Sequence, residues 1–191
     1  MCFSAILSSV EITVSVCVWR CLVTAATDWI EALDLSPHPE GGFYREFHRS
    51  QHILEEESLP RGFSGDRELG SVIHYLLTGD DSSAFHRLRS DEIWHFHDGS
   101  PFLIHMIDPK GVHSAARLGL NVSGGEVPCF VVPAGHYFGA EVAADDSFAL
   151  ASCTVIPAFS FDDFEMPTSD ELISIFPHLK SEILHLSRKG T

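Results

Sequence analysis

From residue 71 onward, apolar and polar positions alternate in short runs, the period of a strand that buries one face. The runs are "SVIHYLL", "SAFHRL", "EIWHFH", "PFLIHMI", "VHSAARLG", "CFVVP", "HYFGAEV" and "FALASCTVI", ending at residue 156. Turn chemistry separates them: "TGDD", "RSD", "DGS", "DPKG", "VSGGE" and "PAG". Eight strands with no helical period between them predict an all-β antiparallel sandwich or barrel.

Before the strands, "TDWIEALDL" (27–35) carries Trp29, Ile30 and Leu33 at helical spacing, with Thr27 or Asp28 as N-cap and Pro37 just beyond. It predicts a short helix leading into "HPEGGFYRE" (38–46), a turn followed by the alternating strand "FYREFH". The polar stretch 51–69 reads as a solvated loop. After the strands, Thr168 and Glu171 form a capping-box pair ahead of "LISIF", Pro177 interrupts, and "LKSEILHL" resumes a helix. No repeat or low-complexity tract occurs.

The chain thus divides into an N-terminal extension (1–26), one domain (27–187) and a tail (188–191), and 191 residues suffice for one real core. The extension is apolar enough to resemble a targeting peptide. It lacks a positive n-region, however, and Glu11 and Arg20 interrupt it, so neither a signal peptide nor a membrane span fits well. An added strand pair, or a start assigned too early, are the other readings.

Twenty-seven acidic residues against 12 Lys and Arg leave a formal charge of −15, which repels phosphate backbones and anionic lipid. Nucleic acid and membrane are therefore poor partners. The five cysteines are odd in number and form no CxxC pair, so a reducing compartment, the cytoplasm, is expected. The sequon at Asn121 matters only in a secreted chain. No nucleophile elbow, phosphate loop or dinucleotide fingerprint is present.

"HPEGGFYRE", "FHRLRSDEIWHFHDGSP" (85–101), "VVPAGHYFGAE" (131–141) and "CTVIPAFSFDDFEM" followed by "ELISIFP" occur in that order. In these motifs the chain resembles the cupin superfamily, and within it the uncharacterised cupin 5 or DUF985 family, over residues 28 to 187. The resemblance implies a double-stranded β-helix, or jelly roll, with short flanking helices, usually paired as a homodimer. Gly79, His86, Glu92 and Gly99 stand where the first cupin motif places them, and Pro133 and Gly135 fit the second. Two of the four metal-ligand positions that the superfamily would use hold Leu88 and Phe138 instead. No metal or other cofactor is favoured on that count. If a divalent metal were held, His86, Glu92 and His136 would be its facial set of two histidines and a carboxylate.

Alternation puts Glu92, Trp94 and Phe96 on one strand face and Ile93, His95 and His97 on the other. A carboxyl against indole is desolvated, which raises its pKa toward neutrality. His86 on a neighbouring strand is expected to complete a pair titrating near neutrality. The metal-free sugar-nucleotide epimerases of this superfamily, which use an imidazole base, supply the precedent. The expected catalytic residues are His86, Glu92 and Tyr44, with Arg45, Trp94, Glu40, His95 and His136 holding the substrate. For Arg45 a structural ion pair with Glu40 or Asp91 is the competing role, and for Asp91 a turn cap is the simpler one. For His74, His95, His97 and His105 an ordinary strand role is an equal alternative, and His48, His52, His113, His178 and His185 read as surface residues.

Three functions remain open at this stage. One is a metal-free isomerase or epimerase acting on a small polar, carbohydrate- or nucleotide-sugar-like ligand. The second is a metal-dependent oxygenase. The third is a ligand-binding protein without catalysis.

Overall fold

The computed structural model describes residues 25–187. The tail 188–191, and the extension save Ala25 and Ala26, lie outside the described residues. Helix α1 (Ala26–Ala32) comes first, then strands β1 (Ser36–Pro37), β2 (Phe43–Arg49), β3 (Ile53–Leu54) and β4 (Arg67–Glu68). The main run follows: β5 (Ser71–Thr78), β6 (Ser82–Leu88), β7 (Asp91–Gly99), β8 (Phe102–Ile107) and β9 (His113–Leu118). It continues with β10 (Cys129–Val132), β11 (Tyr137–Val142), β12 (Phe148–Ile156) and β13 (Phe164–Glu165). Helices α2 (Ser169–Ile175) and α3 (Lys180–Ser187) close the chain. Strands β5 to β12 are the eight runs expected from alternation.

A six-stranded sheet, β1-β2-β5-β12-β7-β10, faces a five-stranded sheet, β13-β6-β11-β8-β9, with all pairings between strands antiparallel. This is the mostly β, antiparallel architecture that alternation predicts and the jelly roll that the family resemblance implies. Tyr75, Leu77, Trp94, Phe102, Ile104 and Phe138 interdigitate between the sheets as the core. Each sheet also has apolar residues on its outer side. Helices α2 and α3 cover Phe85, Ile107 and Tyr137, while α1 covers Leu76, Phe148 and Leu150. That double burial explains why β11 is buried at all six positions, the charged Glu141 included.

Thr168 caps α2 as expected. Its hydroxyl accepts from the Glu171 N–H at 3.3 Å, and the Glu171 carboxylate accepts from the Thr168 N–H at 2.8 Å. Helix α1 differs from expectation: Ala25 is the N-cap residue, and Asp28 accepts the Ala25 N–H at 3.0 Å from inside the first turn. Residues 51–69 differ as well. Strands β3 and β4 pair, and Arg67 is buried, donating from Nε to Asp163 at 2.7 Å. A long side chain in a polar stretch reads as solvated until a distant carboxylate, 96 positions away, claims it.

Candidate active site

Between the sheets lies a cavity of about 340 Å³ whose wall includes Glu40, Tyr44, His86, Glu92 and Trp94. Five of the eight residues expected at the site therefore share one hollow. The 38–42 turn brings Glu40 there. Gly41 (φ +113°) and Gly42 (φ +70°) adopt backbone angles that other residues avoid, and a side chain at Gly42 would meet the Leu76 carbonyl. Tyr75 ties the turn down, its hydroxyl donating to the Gly41 carbonyl at 2.9 Å.

His86 projects inward from β6, its Nδ1 2.8 Å from the Ala84 carbonyl and 3.3 Å from Glu40 Oε2. A carbonyl only accepts, so Nδ1 carries the proton and Nε2 the lone pair. Burial drives the His86 pKa down to about 3, opposed by the Ala84 hydrogen bond and aided by His38. The imidazole is thus neutral through the physiological range. This corrects the expectation of a His86–Glu92 pair titrating together: the carboxylate beside His86 is Glu40. Burial pushes the Glu40 carboxyl well up, as does the charge of Glu92, against a hydrogen bond from the Ser83 hydroxyl.

Glu92 behaves as the sequence predicts. Burial raises it from 4.5 to about 7, against the favourable contributions of the Cys153 thiol and the Trp94 indole. It is a lining group whose proton is exchangeable near neutral pH. Tyr44 stands edge-on to His38, with ring centroids 4.4 Å apart.

Three expected site residues lie elsewhere. Arg45 points to the opposite face of β2 and donates to the Leu33 carbonyl at 3.2 Å and to Asp34 at 3.3 Å. Neither Glu40 nor Asp91 is its partner. His95, on the outer face of β7, has Nδ1 3.3 Å from Cys129 Sγ. His136 sits in the turn between β10 and β11, its Nδ1 3.5 Å from the Ala134 carbonyl, away from the cavity wall. Asp91 takes the turn role, accepting the Ala134 N–H at 2.8 Å.

The donor set does not fit a metal. Leu88 and Phe138 occupy two ligand positions within the apolar core, and the Phe138 ring packs 4.0 Å from that of His86. His136 is absent from the wall, and among the described residues no three His, Cys, Asp or Glu side chains are arranged to hold an ion.

Sequence reasoning overlooked His38, Arg49, Tyr75 and Cys153, all on the wall. Cys153 was within reach, since alternation along β12 places it with Ala151 and Val155. His38 shares the Gly-Gly turn with Glu40, and burial lowers it to about 4. Arg49 was not within reach. Register slips between Glu46 and His48, so a β-bulge returns Arg49 rather than His48 to the inner side. There its guanidinium donates to Glu46 at 2.8 and 2.9 Å, to Glu68 at 3.1 Å and to the Phe159 carbonyl at 3.2 Å.

A two-sheet jelly roll enclosing a hollow lined by acids and imidazoles is the build of a cupin-type barrel. The family model "Cupin superfamily (DUF985)" matches residues 27–167, and the chain belongs to that family. An uncharacterised protein of Saccharomyces cerevisiae is 29% identical over 144 residues, covering 71% of this chain and 70% of the yeast one. Among solved structures, a hypothetical protein from Leishmania major is 36% identical (TM-score 0.77; 85% of this chain, 98% of that one). A Shewanella oneidensis protein is 40% identical (TM-score 0.76; 85% and 97%). Among the described residues no helix is long and apolar enough to cross a membrane.

Proposed function

We propose that this protein binds a small polar molecule in the 340 Å³ cavity and moves a proton on it without a metal, as an isomerase or epimerase does. One observation carries the reading: Glu92 is buried on the cavity wall, where desolvation raises its carboxyl to about 7, the range in which one carboxyl can both take and return a proton. His86 is a neutral partner rather than the base. Its Nδ1–H is committed to Ala84 and Glu40, which aims the lone pair of Nε2 away from them as an acceptor. Tyr44 contributes a phenol on the same wall. A metal-dependent oxygenase through His86, Glu92 and His136 has less support, because His136 does not reach the cavity. Pairing as a homodimer, implied by the family resemblance, belongs to the same proposal.

The test begins with native mass spectrometry of untagged protein, to identify any retained small molecule. That molecule is then incubated in D2O with wild type and with Glu92→Gln. Wild type should place deuterium on a carbon of the ligand, and Glu92→Gln should slow this by about 100-fold or more. Binding without exchange would make the protein a carrier, and exchange undiminished in Glu92→Gln would remove Glu92 from the mechanism.

A further inference from the structure

Trp94 is 2% exposed, yet its indole N–H has no hydrogen-bond partner among the described residues. Trp29, by contrast, donates to Asp98 at 2.9 Å. An unmet buried donor costs about 1–3 kcal/mol, and buried tryptophans ordinarily find an acceptor. Trp94 sits on the cavity wall two positions from Glu92, and its indole helps to hold the Glu92 carboxyl down against burial. The two groups together offer an occupant a donor and an acceptor side by side.

The rest of the wall narrows the occupant further. Tyr44, Phe159, Phe161 and Phe164 provide flat aromatic surface. Arg49 is the guanidinium on the wall, and Glu46, Glu68 and the Phe159 carbonyl already engage it. His38 and His86 are neutral, and the remaining ionisable groups near the floor include two acids, Glu40 and Glu92. An anion entering this hollow gains no free counter-charge and loses its hydration.

We infer that Trp94 is a ligand-binding donor, and that Trp94 and Glu92 together take an uncharged flat ring bearing a carbonyl beside an N–H or O–H, as in a cyclic amide. The carbonyl oxygen accepts from Trp94 and the neighbouring group donates to Glu92. Phosphorylated sugars are turned away. This inference rests on the proton-transfer reading and names its substrate class. As the Glu92 carboxylate removes a proton from the atom next to the carbonyl carbon, the electron pair moves onto the oxygen that Trp94 holds. Return of that proton from Glu92 to a different atom gives an isomer, with nothing gained or lost.

The experiment is a titration of the intact protein, labelled with 15N-tryptophan, followed at the indole N–H resonances. Trp94→Phe assigns the Trp94 signal; if that variant does not fold, Trp19→Phe and Trp29→Phe assign it by elimination. With 2-pyridone as probe, the Trp94 resonance should shift saturably while that of Trp29 stays in place. 2-Methoxypyridine, which lacks the N–H, should bind about tenfold more weakly, and uridine diphosphate glucose should cause no shift. A Trp94 resonance unmoved by 2-pyridone, or tighter binding of the sugar nucleotide, overturns the inference. Loss of deuterium exchange with this titration intact would strike only the proton-transfer reading. The converse result would strike only the ligand class.

Discussion

The imidazole of His86 and the carboxylate of Glu40 meet at 3.3 Å inside the barrel, the first on β6 and the second on the Gly-Gly turn 46 positions earlier. The His86 side chain is 3% exposed and that of Glu40 9%. Replacing His86 by Ala empties space against Phe138 and leaves Glu40 and the Ala84 carbonyl short of a donor. The expected cost is about 3 kcal/mol, read from urea unfolding, with His86→Asn recovering part of it. A loss below about 1 kcal/mol would show that the imidazole is not part of a satisfied network.

Glu92 makes stability depend on pH with a definite sign. Its unfolded carboxyl titrates at 4.5 and its folded one at about 7, so between these values only the folded form keeps the proton. Stability contributed by this group is complete below about pH 4.5 and lost as pH rises through 7, a total on the order of 3 kcal/mol. Glu40, also raised, acts in the same direction. His38 and His86, both lowered, act oppositely below 6.5, so the contribution is isolated by comparison with a variant. Between pH 5 and 8 the melting temperature of wild type should fall relative to that of Glu92→Gln. Parallel curves would mean that Glu92 is not buried as described.

Arg67 and Asp163 form a buried ion pair at 2.7 Å that joins the β3–β4 hairpin to the segment preceding β13. Arg67→Met should cost about 3–5 kcal/mol, because it leaves a buried carboxylate with only the half-exposed Arg89 guanidinium, 3.7 Å away. Adding Asp163→Leu should return most of that loss, since removing both charges also removes both desolvation costs. Denaturant midpoints of the two single variants and the double variant measure the coupling.

Gly42 and Gly125 offer a controlled pair of positions. Both have positive φ, +70° and +84°, but a Cβ at Gly125 meets nothing within 4 Å, whereas one at Gly42 lies 2.5 Å from the Leu76 carbonyl. Gly125→Ala should therefore cost only the left-handed backbone term, about 1–2 kcal/mol. Gly42→Ala should cost clearly more, because the Leu76 backbone cannot give way. Equal melting temperatures would deny the close approach.

Untagged protein purified without chelator should carry no stoichiometric iron or manganese by elemental analysis, because Leu88 and Phe138 supply no lone pairs where the superfamily places imidazoles. One metal per chain would overturn this and reopen the oxygenase reading.

Much of the molecule follows from local rules along the chain. Period-two alternation marks β5 to β12, the Thr168–Glu171 pair marks the start of α2, and the order of motifs places the chain in its family. Alternation also puts Glu92 and Trp94 on one face, from which an elevated carboxyl pKa follows. What needed tertiary structure involves residues far apart in sequence or a break in period. A single bulge in β2 sends Arg49 inward, and a distant Asp163 draws Arg67 into the interior. The turn at Gly41 and Gly42, not the neighbouring strand, supplies the partner of His86. Strand periodicity assigns a side chain to a face, but burial and partnership depend on which other segment closes over that face. For this protein the fold is written locally, while the protonation states of its cavity are set by packing between segments distant in sequence.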